Sequence, residues 1–394
     1  MSLLRPLMFS AIMGLLVWFV WWRLVRRTGL RGRARIAVTV AILATVAPMA
    51  YVSFASAGGP PRVTGAFAWP VYLGWSLFGL TFVGLLLVDL GHLVIWLARQ
   101  AGRVVGRPPA PMDPSRRQAL ARITGGVVTT AVIGQVGVGL TQALGDPEIV
   151  DVPVRLPTLG AGLHGFRIVQ LTDLHVGGTI GRDFIADLVR RTNMLGADLI
   201  ALTGDFVDGS VDELRDAIAR LGDLRAPHGV YFVTGNHEYY SGADAWIAHL
   251  TTLGIRVLRN ERVEITRGGA TFDLAGIDDH SAAKFARGHG PDLERALGGR
   301  DRTRPVVLLA HQPRQVRAAA PYGVDLQLSG HTHGGQVWPW HYLVSIQQGG
   351  FVAGRYQVDA TQLYVSRGPS YWGPPIRVGA PPEITRVILE SSAA

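Results

Sequence analysis

Phe166-Arg167-Ile168-Val169-Gln170-Leu171-Thr172-Asp173-Leu174-His175 is the stretch that decides the fold. Its first six residues form a short, largely apolar run of strand type, and it ends at once in a carboxylate and an imidazole. The same construction recurs downstream. Ala197 to Leu202 reads as a strand ending in Gly204-Asp205-Phe206-Val207-Asp208, and Gly229 to Val233 as one ending in Gly235-Asn236-His237-Glu238. Pro305 to Ala310 runs into His311-Gln312-Pro313, and Asp325 to Leu328 into Ser329-Gly330-His331-Thr332-His333-Gly334-Gly335-Gln336. Between the first of these strands, Asp183 to Leu195 and Asp212 to Leu221 carry helical periodicity, with Ile185, Leu188, Val189 and Thr192 on one face. Strands alternating with helices predict an α/β or α+β layered domain. In such sheets ligand sites gather where strands end at their carboxyl edge, so the polar clusters converge on one site.

The residue types name the chemistry. Asp, Asn and neutral His are the ligand set of a hard-to-borderline divalent cation: Mn, Fe, Zn, Co or Mg. The chain has no Cys, which excludes thiolate ligands, a thiol nucleophile and a disulfide framework. Candidate ligands outnumber what one ion needs, and suit two ions about 3.5–4 Å apart that share a carboxylate. A single such His or Asp is most often structural. Repetition at one structural address is what carries the reading.

Asp173-x-His175, Gly204-Asp205-x-x-Asp208, Gly235-Asn236-His237-Glu238, His311 and Gly330-His331-x-His333 resemble, in order, the five motifs of the calcineurin-like metallophosphoesterase superfamily. The apolar amino-terminal half together with His331-Thr332-His333-Gly334-Gly335-Gln336 is similar to bacterial membrane-associated members. Glu238 stands where many members have Asp. The resemblance implies a two-sheet sandwich flanked by helices. It also implies one metal on Asp173, His175 and His333, a second on Asn236, His311 and His331, and Asp205 bridging them. His237 resembles a histidine that contacts the phosphate and helps the leaving oxygen depart. Asp208 and Glu238 resemble residues that orient the others. Two cations would neutralise a phosphoester's charge and lower the pKa of a water towards neutrality.

Outside this region the chain changes character. Of 394 residues 48% are hydrophobic and only 17% charged, whereas soluble domains average about a quarter charged. Disorder, collagen and coiled coil are excluded by the same figures. Apolar runs at 6–22, 36–57, 66–97 and 123–144 predict four membrane spans, each within reach of the roughly 17–25 residues a crossing requires. Six of the ten Trp lie in the first hundred residues, several at run ends, as an interfacial belt places them. Arg23, Arg26, Arg27, Arg31, Arg33 and Arg35 separate the first two runs, and Arg99, Arg103, Arg107, Arg116, Arg117 and Arg122 the last two. Only Arg62 lies between the second and third. This alternation puts both Arg-rich loops in the cytoplasm and everything after Leu144 outside it. Ser115-Arg116-Arg117-Gln118-Ala119-Leu120 reads either as a helix flank or as a twin-arginine export signal, with Ala119 where Phe is usual. Both export the second half.

The expected organisation is therefore a transmembrane region over 1–145, a linker and entering strand over 146–165, and a catalytic domain over 166–394. The formal net charge of +9 belongs to the apolar half: residues 1–150 hold 14 basic and 4 acidic residues, and residues 151–394 hold 24 and 25. That split weighs against a nucleic-acid partner. The leading expectation is a membrane-anchored, extracytoplasmic phosphoesterase acting on a phospholipid or lipid-linked ester. A lipid-linked pyrophosphohydrolase and a binding domain of a membrane receptor or transporter are the alternatives. Tyr239, Tyr240, Trp338 and Trp340 line a substrate groove, touch the membrane, or pack in the core, and Trp338, Trp340 and Trp372 are the candidates for interfacial contact.

Overall fold

In the computed structural model, residues 4–55, 65–102 and 113–391 are described. Arg62, Arg103 and Arg107 lie outside them, as do the end of the second apolar run and residues 392–394. The chain divides into two units, Met1–Val138 and Gly139–Ala394. The division falls inside a helix.

The first unit is helical: α1 (Leu4–Trp21), α2 (Gly32–Ala55), α3 (Ala68–Gly102) and most of α4 (Pro114–Ala143). Among the described residues three helices are long and apolar enough to cross a membrane, Gly32–Val52, Ala68–Gln100 and Pro114–Ala143, so the four spans read from the sequence become three. The first apolar run, Pro6 to Trp22, is not among these three; its helix α1, at 18 residues, is the shortest of the four. A π-helical segment, Trp22–Arg26, then brings in Arg23 and Arg26. Arg23 and Arg27 both pair with Asp89 of α3, which satisfies the acid within that apolar helix.

Among the described residues the second unit holds twelve strands. In chain order they are β1 (Glu148–Leu156), β2 (Phe166–Leu171), β3 (Leu199–Leu202), β4 (Val230–Phe232), β5 (Arg256–Val257), β6 (Glu261–Arg267), β7 (Ala270–Gly276), β8 (Val306–Leu309), β9 (Leu326–Ser329), β10 (Gly354–Val358), β11 (Thr361–Val365) and β12 (Glu383–Ser391). They form two mixed six-stranded sheets, ordered β1-β12-β2-β3-β4-β5 and β10-β11-β9-β8-β7-β6. β2 to β5 run parallel, as do β7, β8, β9 and β11. The core between the sheets includes Phe166, Ile168, Leu199, Phe272, Leu274, Val307, Leu328 and Val387. Phe166 meets Phe272 edge-on with ring centroids 5.3 Å apart, and truncating such a buried ring costs about 3–5 kcal/mol.

On the outer face of the first sheet, α5 (Arg182–Asn193) buries Ile185, Leu188, Val189 and Thr192, one stripe at helical spacing. α6 (Val211–Ile218) starts at a capping box in which Glu213 returns to the Ser210 N–H. Short helices α7 (Asn236–Ser241) and α8 (Ala243–Thr252) follow β4. These helices cover one face of the first sheet and the second sheet covers the other, which is why β2, β3 and β4 read as nearly continuous apolar runs.

Candidate metal centre

The carboxyl ends of five parallel strands meet at one place. β2, β3 and β4 are neighbours in one sheet and β8 and β9 in the other. The two edges are tied across the gap by buried polar groups. Gln170 donates Nε2 to the Ser329 carbonyl at 2.9 Å, and the His331 N–H donates to the Asp173 carboxylate at 2.9 Å. His311 Nδ1 sits 2.7 Å from the Thr203 carbonyl. These contacts connect β2, β3 and the segments after β8 and β9, and the His237 N–H, donating to Asp205 Oδ1 at 2.8 Å, adds the segment after β4, so the five polar clusters singled out in the sequence come together.

The backbone there is held in an uncommon form. Asp173 (φ 56°), His175 (φ 48°), Asp205 (φ 58°), His331 (φ 73°) and His333 (φ 49°) are left-handed. They are five of the eight such non-glycine residues among those described. Each costs of order 1–2 kcal/mol, a strain that concentrates at functional sites. The glycines ahead of two of the clusters have a steric role. A Cβ on Gly235 would collide with the Asp205 carboxylate and backbone N, and one on Gly330 with the Asp173 carboxylate.

Two groups of side chains result. Asp173, His175 and His333 converge, with Nε2 of the two imidazoles 3.0 Å apart and His333 Nε2 3.6 Å from Asp173 Oδ1. Asp205, His311 and His331 converge likewise. His311 Nε2 lies 3.0 Å from Asp205 Oδ2 and 3.1 Å from His331 Nδ1. Asp205 Oδ2 is also 4.0 Å from His175 Nε2 and 4.0 Å from His331 Nδ1, so one oxygen reaches both groups. Asn236 Oδ1 is buried with no hydrogen-bond partner among the described residues. Facing imidazole nitrogens, buried carboxylates and an unsatisfied amide oxygen are what a cation-binding pocket requires, and the all-N/O donor set fits hard-to-borderline divalent ions.

A third grouping, His175, Asp208 and His237, has another use. His175 turns Nε2 towards Asp173 and His333 and Nδ1 towards Asp208 Oδ1 at 3.1 Å, while His237 Nδ1 meets the same oxygen at 2.5 Å. Asp208 therefore orients two imidazoles from behind. Glu238, wholly buried, accepts from the N–H groups of Asp205 (2.9 Å), Phe206 (2.7 Å) and Gly235 (2.7 Å), locking the β3 and β4 loops together.

The electrostatics follow from burial and neighbours. Burial opposes charge on Asp205, yet His311, His237 and His175 hold it well below the ordinary carboxylate range. Burial pushes Asp173 up, reinforced by Asp205. Burial would also depress His237, but the Asp205 charge and the Asp208 hydrogen bond outweigh it and hold the imidazole at about 9. Burial and the His311 charge push His331 down to about 3. Burial and the Asp205 charge raise Glu238 to about 7 against its three N–H donors.

Arg377 escapes sequence reasoning altogether. It is fully buried, donates to the carbonyls of Ser370 (2.7 Å), Ala380 (2.9 Å) and Arg367 (2.7 Å), and brings Nη2 to 3.2 Å from His333 Nδ1. Burial lowers it to about 9. An Arg after Gly373-Pro374-Pro375 carries no signal of burial. Thr172 is a second such residue, its hydroxyl donating to Asp173 Oδ2 at 2.6 Å. Beside the centre, the rings of Tyr240 and Trp372 lie 5.1 and 5.6 Å from that of His237.

Residues 166–335, which contain all five clusters, match the family described as calcineurin-like phosphoesterase. A bovine (Bos taurus) protein named as a transmembrane protein with a metallophosphoesterase domain is 41% identical over 75% of this chain and 67% of its own. A zebrafish (Danio rerio) protein of the same name is 34% identical over 80% of this chain and 74% of its own. A Helicobacter pylori protein, named an uncharacterized metallophosphoesterase, is 38% identical over 70% and 73%. Relatives thus come from bacteria and vertebrates alike. Identity at this level across two thirds or more of both partners means that the chain belongs to the calcineurin-like metallophosphoesterase family.

Proposed function

We propose that this chain is a membrane-anchored, metal-dependent hydrolase of phosphate esters, with its centre at the outer face of the membrane and a phospholipid or lipid-linked ester as substrate. The observation that carries the catalytic part is the single oxygen of Asp205 within reach of both imidazole groups. On this reading Asp173, His175 and His333 hold one divalent cation, Asn236, His311 and His331 hold a second, and Asp205 is shared. Bound there, two cations supply neutralisation of the phosphoryl oxygens and a water that is nucleophilic near neutral pH.

The chain's own groups do the rest. His237 holds its Nδ1 against Asp208, which leaves Nε2 to face the leaving oxygen of the ester and donate a proton to it. Asp208 and Glu238 keep the imidazoles and the Asp205 loop in register. The rings of Tyr240 and Trp372 flank His237 and restrict water on that side.

Orientation rests on the arginines. With three spans, the segment of Arg23 to Arg35 and that of Arg99 to Arg122 remain cytoplasmic, and the chain after Ala143 is outside; only the position of the amino terminus changes from the four-span reading. The test is hydrolysis by the purified full chain of chromogenic phosphate mono- and diesters, with metal content measured alongside. Turnover that disappears with chelation and returns with a divalent cation supports the proposal. Metal-independent turnover, or none on any ester in any divalent metal, overturns it.

A further inference from the structure

Most of the second unit buries its large apolar residues, but one segment does the opposite. Residues 337–347 read Val-Trp-Pro-Trp-His-Tyr-Leu-Val-Ser-Ile-Gln, without an acidic, Lys or Arg side chain. Trp338 is 53% exposed, Trp340 40%, Tyr342 61%, Leu343 52% and Ile346 78%. A short helix, His341–Gln347, presents Tyr342, Leu343 and Ile346 at i, i+1 and i+4, which is one side of a helix. A contiguous exposed patch of this make-up marks an interaction surface.

Its place in the fold says what covers it. The last turn of α4, Gly139–Ala143, belongs to the same unit as the sheets. The Arg377 N–H donates to the Gly139 carbonyl at 2.9 Å, and a Cβ on Gly139 would stand 3.0 Å from Ile376 Cβ, so helix and segment touch backbone to backbone. Val378 in turn pairs with Val337, with the Trp338 N–H donating to the Val378 carbonyl at 3.2 Å. The aromatic segment therefore begins one strand-width from the end of a helix long and apolar enough to cross a membrane. The end of such a helix marks the bilayer surface, the zone where Trp and Tyr concentrate. The segment also leads straight back to the metal centre: Gln336 exchanges two hydrogen bonds of 2.9 Å with the backbone of Trp372, whose ring lies beside His237.

We infer that residues 337–347, with Trp372 at their edge, dock into the lipid surface and seat the mouth of the metal centre on the membrane, so that esters held in the bilayer are its substrates. This rests on the membrane-anchored reading above and adds to it the surface that would bring such a substrate to the centre. Indoles and the tyrosine ring occupy the headgroup level while Leu343 and Ile346 reach the acyl boundary. A centre fixed there meets an ester that stays in the membrane plane.

The chain has no native Cys, so single labels are unambiguous. Leu343→Cys and Ile346→Cys carry a nitroxide in the full chain reconstituted in phosphatidylethanolamine–phosphatidylglycerol vesicles. Met194→Cys, exposed between α5 and β3 at the opposite sheet edge, is the control. Labels at 343 and 346 should collide more with dissolved oxygen than with a water-soluble nickel chelate, and the label at 194 the reverse. The double variant Leu343→Gln/Ile346→Gln should raise KM about tenfold on a fluorogenic phospholipid in those vesicles and leave a water-soluble chromogenic ester unaffected. Labels at 343 and 346 that report water overturn the inference, as do labels shielded from both reagents, which means contact with protein. The label readout needs no turnover, so a wild-type chain that hydrolyses neither ester counts against the phosphoesterase reading and not against docking.

Discussion

Replacing Glu238 with Ala should loosen the loop that carries Asp205 and unfold the domain early. Glu238 is the third residue of α7, and its carboxylate is the sole side-chain acceptor recorded for three N–H groups, those of Asp205, Phe206 and Gly235. Each buried donor left without an acceptor costs about 1–3 kcal/mol. Three donors come to about 4 kcal/mol, near the low end because water enters the space left by the side chain. For a domain of this size each kcal/mol shifts Tm by about 2–4 °C, so Glu238→Ala should melt on the order of 10 °C lower. Trp246, fully buried against the first sheet, is the natural fluorescence reporter of that transition. Glu238→Gln is the control. Burial and Asp205 already push the Glu238 carboxyl up to about 7, so a neutral amide with one remaining acceptor oxygen should cost less than half as much. Because Asp205 sits on the same loop, Glu238→Ala should also lose bound metal at temperatures well below its melt. A Glu238→Ala protein that melts within about 2 °C of wild type with undiminished metal would refute the reasoning.

His237→Ala should keep both cations yet slow turnover by about 10²–10⁴-fold with KM little changed, since it acts on the leaving oxygen; metal analysis beside kinetics checks this. His311 is depressed by burial but lifted by the Asp205 charge and hydrogen bond to about 10, so the chelated protein holds a proton there that a cation must displace. Metal affinity should therefore rise with pH up to about 10, and calorimetry in buffers of different ionisation enthalpy should register proton release; a pH-independent affinity contradicts this. In the chelated protein that raised pKa stabilises the fold fully below its ordinary value of 6.5, and the contribution is lost as pH rises through about 10. A reporter fused at the carboxyl terminus should sit outside the cytoplasm and one in the Arg99–Arg122 loop inside it, and a cytoplasmic carboxyl-terminal reporter would reverse the orientation.

The five strand-end clusters are legible in the sequence because each candidate ligand follows closely on an apolar run. Local chemistry of that kind survives in one dimension. What is not legible is non-local or conformational. β1 and β12 pair in parallel from Glu148 with Glu383 to Leu156 with Ser391, joining the two ends of the domain, and no local pattern foretells that partner. Arg377 reaches His333 across 44 residues from within a Pro-rich loop that reads as solvated. The left-handed backbone at Asp173, His175 and Asp205 is equally hidden, because glycine is its ordinary carrier and none stands at those positions. The first apolar run shows a different limit. Composition alone makes Pro6 to Trp22 a span, and it is not among the three helices that the described residues show as long and apolar enough to cross.

The central claim is a pair of cations sharing Asp205, and metal stoichiometry tests it most directly. The purified full chain, loaded with Mn, Zn, Fe, Co or Mg in turn and freed of excess, is measured by elemental mass spectrometry beside Asp205→Asn. The account predicts two ions per wild-type chain in at least one of these metals. It predicts a loss of one or both in Asp205→Asn, where the shared charge is gone while the fold persists. Two ions retained in Asp205→Asn with wild-type turnover, or no bound metal in a wild-type chain that hydrolyses its ester, would contradict it.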